Sequence, residues 1–117
     1  MTKSSTVTLP WPPSALSPNA RGHWGIKARH AKKYRRDARI LCLAQGLRAL
    51  SAEALSLRIT FNPPDRRARD IDNMIASAKA GLDGLADATG VDDSRWSITT
   101  RKGQPVKGGA VVIEVTA

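Results

Sequence analysis

Two aspartates two residues apart, Asp70 and Asp72, close the run Pro64-Asp65-Arg66-Arg67-Ala68-Arg69-Asp70-Ile71-Asp72-Asn73. In extended backbone that spacing turns both carboxylates to one side. Paired carboxylates, completed by water and a substrate phosphate, suit the octahedral oxygen coordination of Mg2+. The structural alternative is that Asp70 caps a following helix and Asp72 complements its dipole. Arg66, Arg67 and Arg69 stand just before the pair and offer bidentate contacts to phosphate, and a further acid pair, Asp92-Asp93, follows the next periodic stretch.

The rest of the chain makes this acid cluster unusual. Its 117 residues carry 19 Lys and Arg against 10 Asp and Glu, a net charge of +9. An excess of that size points to a polyanionic partner, DNA or RNA. Nine of the bases lie between Arg21 and Arg48, where Asp37 is the only acid, whereas seven of the ten acids lie between Asp65 and Asp93. The basic stretch fits a surface that tracks phosphates, with Lys32, Lys33 and Arg36 as contacts to the nucleic-acid backbone; the plainer alternative is a solvated helix face. A protein that only coats DNA gains nothing from clustered carboxylates, which repel one another unless a cation neutralises them.

The elements that must position these groups are readable from periodicity. Thr6 to Leu9 alternates and then meets Pro10, Pro12 and Pro13, so a short strand runs into a proline-rich loop. From Lys27 to Leu47, Ala31, Tyr34, Ala38 and Leu41 recur at helical spacing, with Gly46 near the end. Leu55 to Phe61 alternates strictly, a half-buried strand stopped by Asn62-Pro63-Pro64-Asp65. Asp72 to Ala88 places Met74, Ala78, Leu82 and Leu85 on one face and ends at Gly90. Two strands follow, Trp96 to Arg101 and Ala110 to Val115, with Gly103 to Gly109 as the turn between them. The order β-α-β-α-β-β predicts an α/β fold, a mixed four-stranded sheet with helices packed on it, in one domain spanning 1–117.

Composition excludes several classes. The single cysteine, Cys42, allows no internal disulfide, no Cys/His cluster could hold zinc, and its apolar surroundings predict a buried, inert thiol. No stretch reaches the roughly 18 apolar residues of a membrane span, and the start has no long apolar signal segment. A cytoplasmic protein without a membrane partner is the expectation.

The run PPDRRARDIDN, followed by KAGLDGL and then GVDDS, resembles the RusA family of Holliday-junction resolvases, and the opening LPWPPS with Asn19 and Arg21 is similar to that family's N-terminus. The resemblance implies a homodimer of α/β subunits that nicks two opposed strands of four-way junction DNA with Mg2+, or Mn2+ as a substitute, in a bacterial or phage-infected cell. It assigns Asp70, Asp72 and Asp93 to the catalytic metal set, Asp93 being the second acid of its pair. It also assigns a catalytic lysine to the second helix, where Lys79 is the only one. Lys79 is seven residues after Asp72 rather than the more familiar four, nearly one extra helical turn, so it keeps its face but moves along the axis.

Two other readings fit the residues: a non-catalytic basic nucleic-acid-binding protein, and a nuclease for forks or flaps. The geometry of the third acid is the open point. A helix of that length puts Asp92-Asp93 roughly 25 Å beyond Asp72, a distance that a return loop alone is not expected to close, leaving an adjacent strand or a neighbouring subunit to do so.

Overall fold

The strict alternation of Leu55, Leu57, Ile59 and Phe61 forms β2 (Leu55–Asn62), and all four side chains are buried on one sheet face. The computed structural model describes residues 4–49 and 52–117. In it, β1 (Ser4–Pro10) and β4 (Ala110–Thr116) pair antiparallel, with Val7 opposite Ile113. β4 also pairs antiparallel with β2, Ile59 opposite Ile113, and β3 (Trp96–Lys102) pairs parallel to β2, Leu57 opposite Ile98. The sheet order is β1-β4-β2-β3. The α/β mixed sheet expected from the sequence is therefore present, with β1, β2 and β3 running one way and β4 the other.

The last two strands are not hairpin neighbours. Gly103 to Gly109 carries the chain across the end of β2, so that β4 inserts between β1 and β2. A turn can be recognised from its glycines, but which strand receives the chain depends on non-local pairing.

Helices α1 (Trp24–Ala44) and α2 (Ile71–Thr89) connect β1 to β2 and β2 to β3. Their buried residues, including Ala38, Cys42, Ala78, Leu82 and Leu85, share one apolar core with the inward faces of β1, β2 and β4. Because each helix links strands that run in the same direction, the two lie parallel. They also lie close: a Cβ on Gly84 would sit 2.4 Å from the Arg35 carbonyl oxygen, and one on Gly81 would sit 2.7 Å from the Tyr34 ring. Two glycines at three-residue spacing thus let the helix backbones approach. Tyr34 is locked in addition by donating from its hydroxyl to the Pro10 carbonyl at 2.6 Å. Among the described residues no helix is long and apolar enough to cross a membrane.

Candidate active site

β1 and β2 deliver the chain at the same end of the sheet, and in open α/β sheets the crevice beyond the carboxyl ends of the strands is where ligands bind. A cleft of about 530 Å³ opens there. The β1–α1 loop supplies Trp11, Ser14, Ser17 and Asn19, and the opposite wall carries Arg67, Arg69, Asp70, Asn73 and Ser77.

Asp70 stands at the N-cap of α2 with extended backbone, φ −80° and ψ 137°, yet its side chain makes no capping hydrogen bond. An aspartate that caps a helix accepts from a first-turn N–H and gains about 1 kcal/mol. Asp70 forgoes this, so both of its oxygens remain available in the cleft. Asp72 is exposed in the first turn of the helix. The same-side argument for extended backbone therefore reaches only Asp70, since on a helix residues two apart do not face each other. What joins the two carboxylates is their shared position at one helix end.

The three arginines of this loop divide. Arg66 and Arg67 are exposed. Arg69 folds inward with its side chain 14% exposed, donating to the Asp65 carboxylate at 2.8 Å and to the carbonyls of Arg67 and Asp65 at 3.2 and 3.3 Å. Its guanidinium lies 5.7 Å from the Trp11 ring centroid, and Trp11 meets Phe61 edge-on at 6.2 Å. The hydrogen bond from Arg69, with one from the Arg67 N–H, holds the Asp65 carboxyl below its usual range. Arg69 braces the loop from the core outward. A second cavity of about 430 Å³ lies along the same loop, between Arg66 and the Lys102-Gln104 segment.

Lys79 lies on the exposed side of α2, two turns beyond Asp72. Its ammonium donates to Asp83 at 2.7 Å and to Asp93 at 2.8 Å. These bonds, that to Asp83 first, raise its pKa above the ordinary lysine value. Asp83 was not among the expected site residues, although its four-residue spacing from Lys79 is a recognisable helical ion-pair signal.

Asp93 reaches Lys79 within one chain. Gly90, at φ 75°, takes the left-handed conformation that reverses the backbone, and its N–H closes onto the Ala86 carbonyl at 2.8 Å. Val91 is buried, and Trp96 donates to its carbonyl at 3.0 Å, which pins the reversal. Asp92 then caps a 3-10 turn, Asp93–Arg95, by accepting from the Ser94 N–H at 3.0 Å; these bonds from Ser94 lower its pKa. The pair is thus divided, Asp92 facing its own turn and Asp93 facing Lys79. Measured along the axis, Lys79 is about 10 Å beyond Asp72, so the tight return loop carries Asp93 back over part of the expected distance within one chain and leaves it beside Lys79, short of Asp72. Among the described residues no three His, Cys, Asp or Glu side chains form a group able to hold a metal; Asp93 is engaged by Lys79 instead.

The candidate contacts on α1 stand apart from the cleft. Lys33 pairs with Asp37 at 2.6 Å and Arg36 with the same acid at 3.8 Å, while Lys32 is exposed. Helical spacing from the buried Tyr34 and Ala38 places Lys33 and Arg36 on the outer face of α1.

No protein-family model matches the chain. An uncharacterised protein of Xylella fastidiosa is 41% identical over 115 residues, 95% of this chain and 75% of that protein. The crossover junction endodeoxyribonuclease rusA of Enterobacteria phage 82 is 33% identical over 114 residues, covering 94% of this chain and 92% of the phage protein. RusA of Shigella sonnei is likewise 33% identical, over 115 residues and 92% of its length. A likeness that runs nearly end to end in both chains, and takes in the β1–α1 loop, the Asp70-Asp72 helix end and the Asp93 return loop, places this chain in the RusA family of crossover junction endodeoxyribonucleases.

Proposed function

We propose that this chain is a metal-dependent endonuclease that resolves four-way DNA junctions by paired nicks in opposed strands, in recombination and repair in a bacterial or phage-infected cell. The observation that carries the reading is the uncapped Asp70 carboxylate, which lies in a cleft with Arg67 and Arg69 on one wall, at the start of a helix that bears Asp72 in its first turn and Lys79, paired with Asp93, two turns on.

Asp70 and Asp72 fit Mg2+, or Mn2+ in its place: both are hard oxygen donors, and one or two protein carboxylates with water and substrate phosphate complete such a shell. When bound there, the cation supplies Lewis-acid polarisation of the phosphate and a lowered pKa for attacking water. The chain's own groups do the rest. Arg66 and Arg67 bind phosphate oxygens bidentately, Arg69 holds the loop that carries Asp70, and Lys79, kept protonated by Asp83 and Asp93, supplies positive charge where the phosphate becomes more negative. Asp93 positions Lys79 in the free enzyme, and with Asp70 and Asp72 it would be the third carboxylate to hold the cation. Lys32, Lys33 and Arg36 follow the outer path of a junction arm.

A homodimer would present two such sites to the two strands of a two-fold junction. Among the described residues β3 is an edge strand paired only with β2, and its Ile98 is 47% exposed, leaving a surface for that contact.

The test is cleavage of a mobile synthetic four-way junction, alongside fork, flap and linear duplex, with and without Mg2+. Asp70→Asn and Asp72→Asn should bind the junction yet fail to cut it; wild-type cleavage by either overturns the metal-site assignment. A binding-only protein is the second reading, favoured by the engagement of Asp93 with Lys79, and it predicts no Mg2+-dependent nicking at all.

A further inference from the structure

Trp24, in the first turn of α1, is 76% exposed. By helical spacing it falls on the same stripe as Ala31, Ala38 and Cys42, and Ala38 and Cys42 are fully buried. An indole on the inward stripe of a helix is ordinarily core. Here the stripe runs past the packed part of the helix pair and leaves the ring bare. One neighbour does hold it: the His23 imidazole stacks on the indole, centroids 5.7 Å apart and planes 26° apart. His23 is itself fixed, its Nδ1 accepting the Gly25 N–H at 3.1 Å.

The ring stands at the catalytic end of the molecule. α1 and α2 lie parallel with Tyr34 against Gly81, and ten positions before these two residues are Trp24 and Ile71, the latter between Asp70 and Asp72. The charge around it is of one sign. The first acid in the chain is Asp37, whereas Arg21, Lys27 and Arg29 surround Trp24 in sequence, and Arg21 and Arg29 are exposed. Such a patch repels a second copy of itself and attracts a polyanion.

An aromatic face set among cations is what single-stranded or unstacked nucleic acid binds, because every base offers a π-face and the neighbouring phosphates meet the cations. In linear duplex both faces of each base are covered. At a branch point, the pairs beside the crossover lose a stacking neighbour. We propose that Trp24, braced by His23, is a stacking site for a nucleobase exposed at the branch point of the DNA. It confers preference for branched over linear DNA, whatever the base. The inference rests on the resolvase reading and adds to it a residue that recognises the branch.

The experiment measures binding of the full chain, in EDTA, to a synthetic four-way junction and to linear duplex of the same arm sequences. Trp24→Ala should weaken junction binding by about five- to a hundredfold, the worth of one base stack, and leave duplex binding unchanged; Trp24→Phe should retain most of the preference. Equal losses on both DNAs, or no loss on either, overturn the assignment. So does a change in sedimentation of the DNA-free Trp24→Ala protein, which would make Trp24 a contact between copies. If the wild-type chain itself shows no junction preference, the resolvase reading fails with it; if it shows one that Trp24→Ala keeps, only this inference fails.

Discussion

The Lys79 ammonium and the Asp93 carboxylate, 14 residues apart in the chain, meet at 2.8 Å because Gly90 reverses the backbone and Trp96 pins the return. With Asp83 on the other side of the ammonium at 2.7 Å, the lysine is held between two anions on the exposed side of α2. Removing the cation and loosening its support should therefore have different costs. Lys79→Met should lower single-turnover cleavage by about 10²- to 10³-fold, the usual loss for one group that stabilises a developing oxyanion. Asp83→Asn, which leaves Asp93 in place, should lower it by about tenfold with junction affinity unchanged.

Gly84 should tolerate no side chain. A methyl group there would meet the Arg35 carbonyl oxygen first, then the Ala38 Cβ at 2.8 Å and the Arg39 nitrogen at 2.9 Å, none of them the end of a flexible side chain, so Gly84→Ala must push the two helices apart. We expect destabilisation of about 2–3 kcal/mol, at the upper end for overpacking, read as a lower denaturant midpoint with the slope unchanged.

Arg67 and Arg69 are neighbours with opposite duties. Arg67→Ala, which removes an exposed cation, should reduce the slope of log affinity against log salt by about one and leave thermal stability alone. Arg69→Ala, which removes the contacts to Asp65, two carbonyls and Trp11, should instead lower Tm by several degrees and leave the salt slope unchanged.

Arg35 on α1 and Asp87 on α2 form a two-point ion pair at 2.8 and 2.9 Å. The hydrogen bond from Arg35 holds the Asp87 carboxyl below its usual range. A carboxyl depressed on folding stabilises the protein above its unfolded pKa, about 3.9, and that contribution disappears as pH falls through the lower folded value. Arg35→Gln should therefore cost a degree or two of Tm at pH 7 and progressively less below about pH 4, where the wild-type and variant melting curves should converge.

Cys42 is fully buried, and burial pushes its thiol up to about 11. The thiolate is the reactive form, so at pH 8 iodoacetamide should leave the native protein unlabelled for hours and modify it readily in guanidinium. Fast labelling of the native state would mean that α1 packs on the sheet more loosely than the burial of Cys42 requires.

Much of this protein follows from local pattern. Alternation across Leu55 to Phe61 and helical spacing through Ala78, Leu82 and Leu85 determine strand and helix whatever lies around them, because each buries one face. The concentration of acids between Asp65 and Asp93 in a basic chain is likewise a property of composition, as is the run that resembles the RusA family. Other features depend on residues distant in sequence. The insertion of β4 between β1 and β2 is set by sheet pairing, and the bare indole of Trp24 by where α1 outruns its packing partner. Arg66, Arg67 and Arg69 are one motif in the sequence, but only Arg69 finds Asp65 and Trp11 within reach. The acids show the division most sharply. Asp70 and Asp72 are joined by a helix end rather than an extended strand, and Asp93 is distinguished from Asp92 by which of them meets Lys79. Spacing along a chain specifies which groups are near in sequence; which of two adjacent carboxylates faces a lysine depends on a left-handed glycine and a tryptophan hydrogen bond that exist only once the chain has folded.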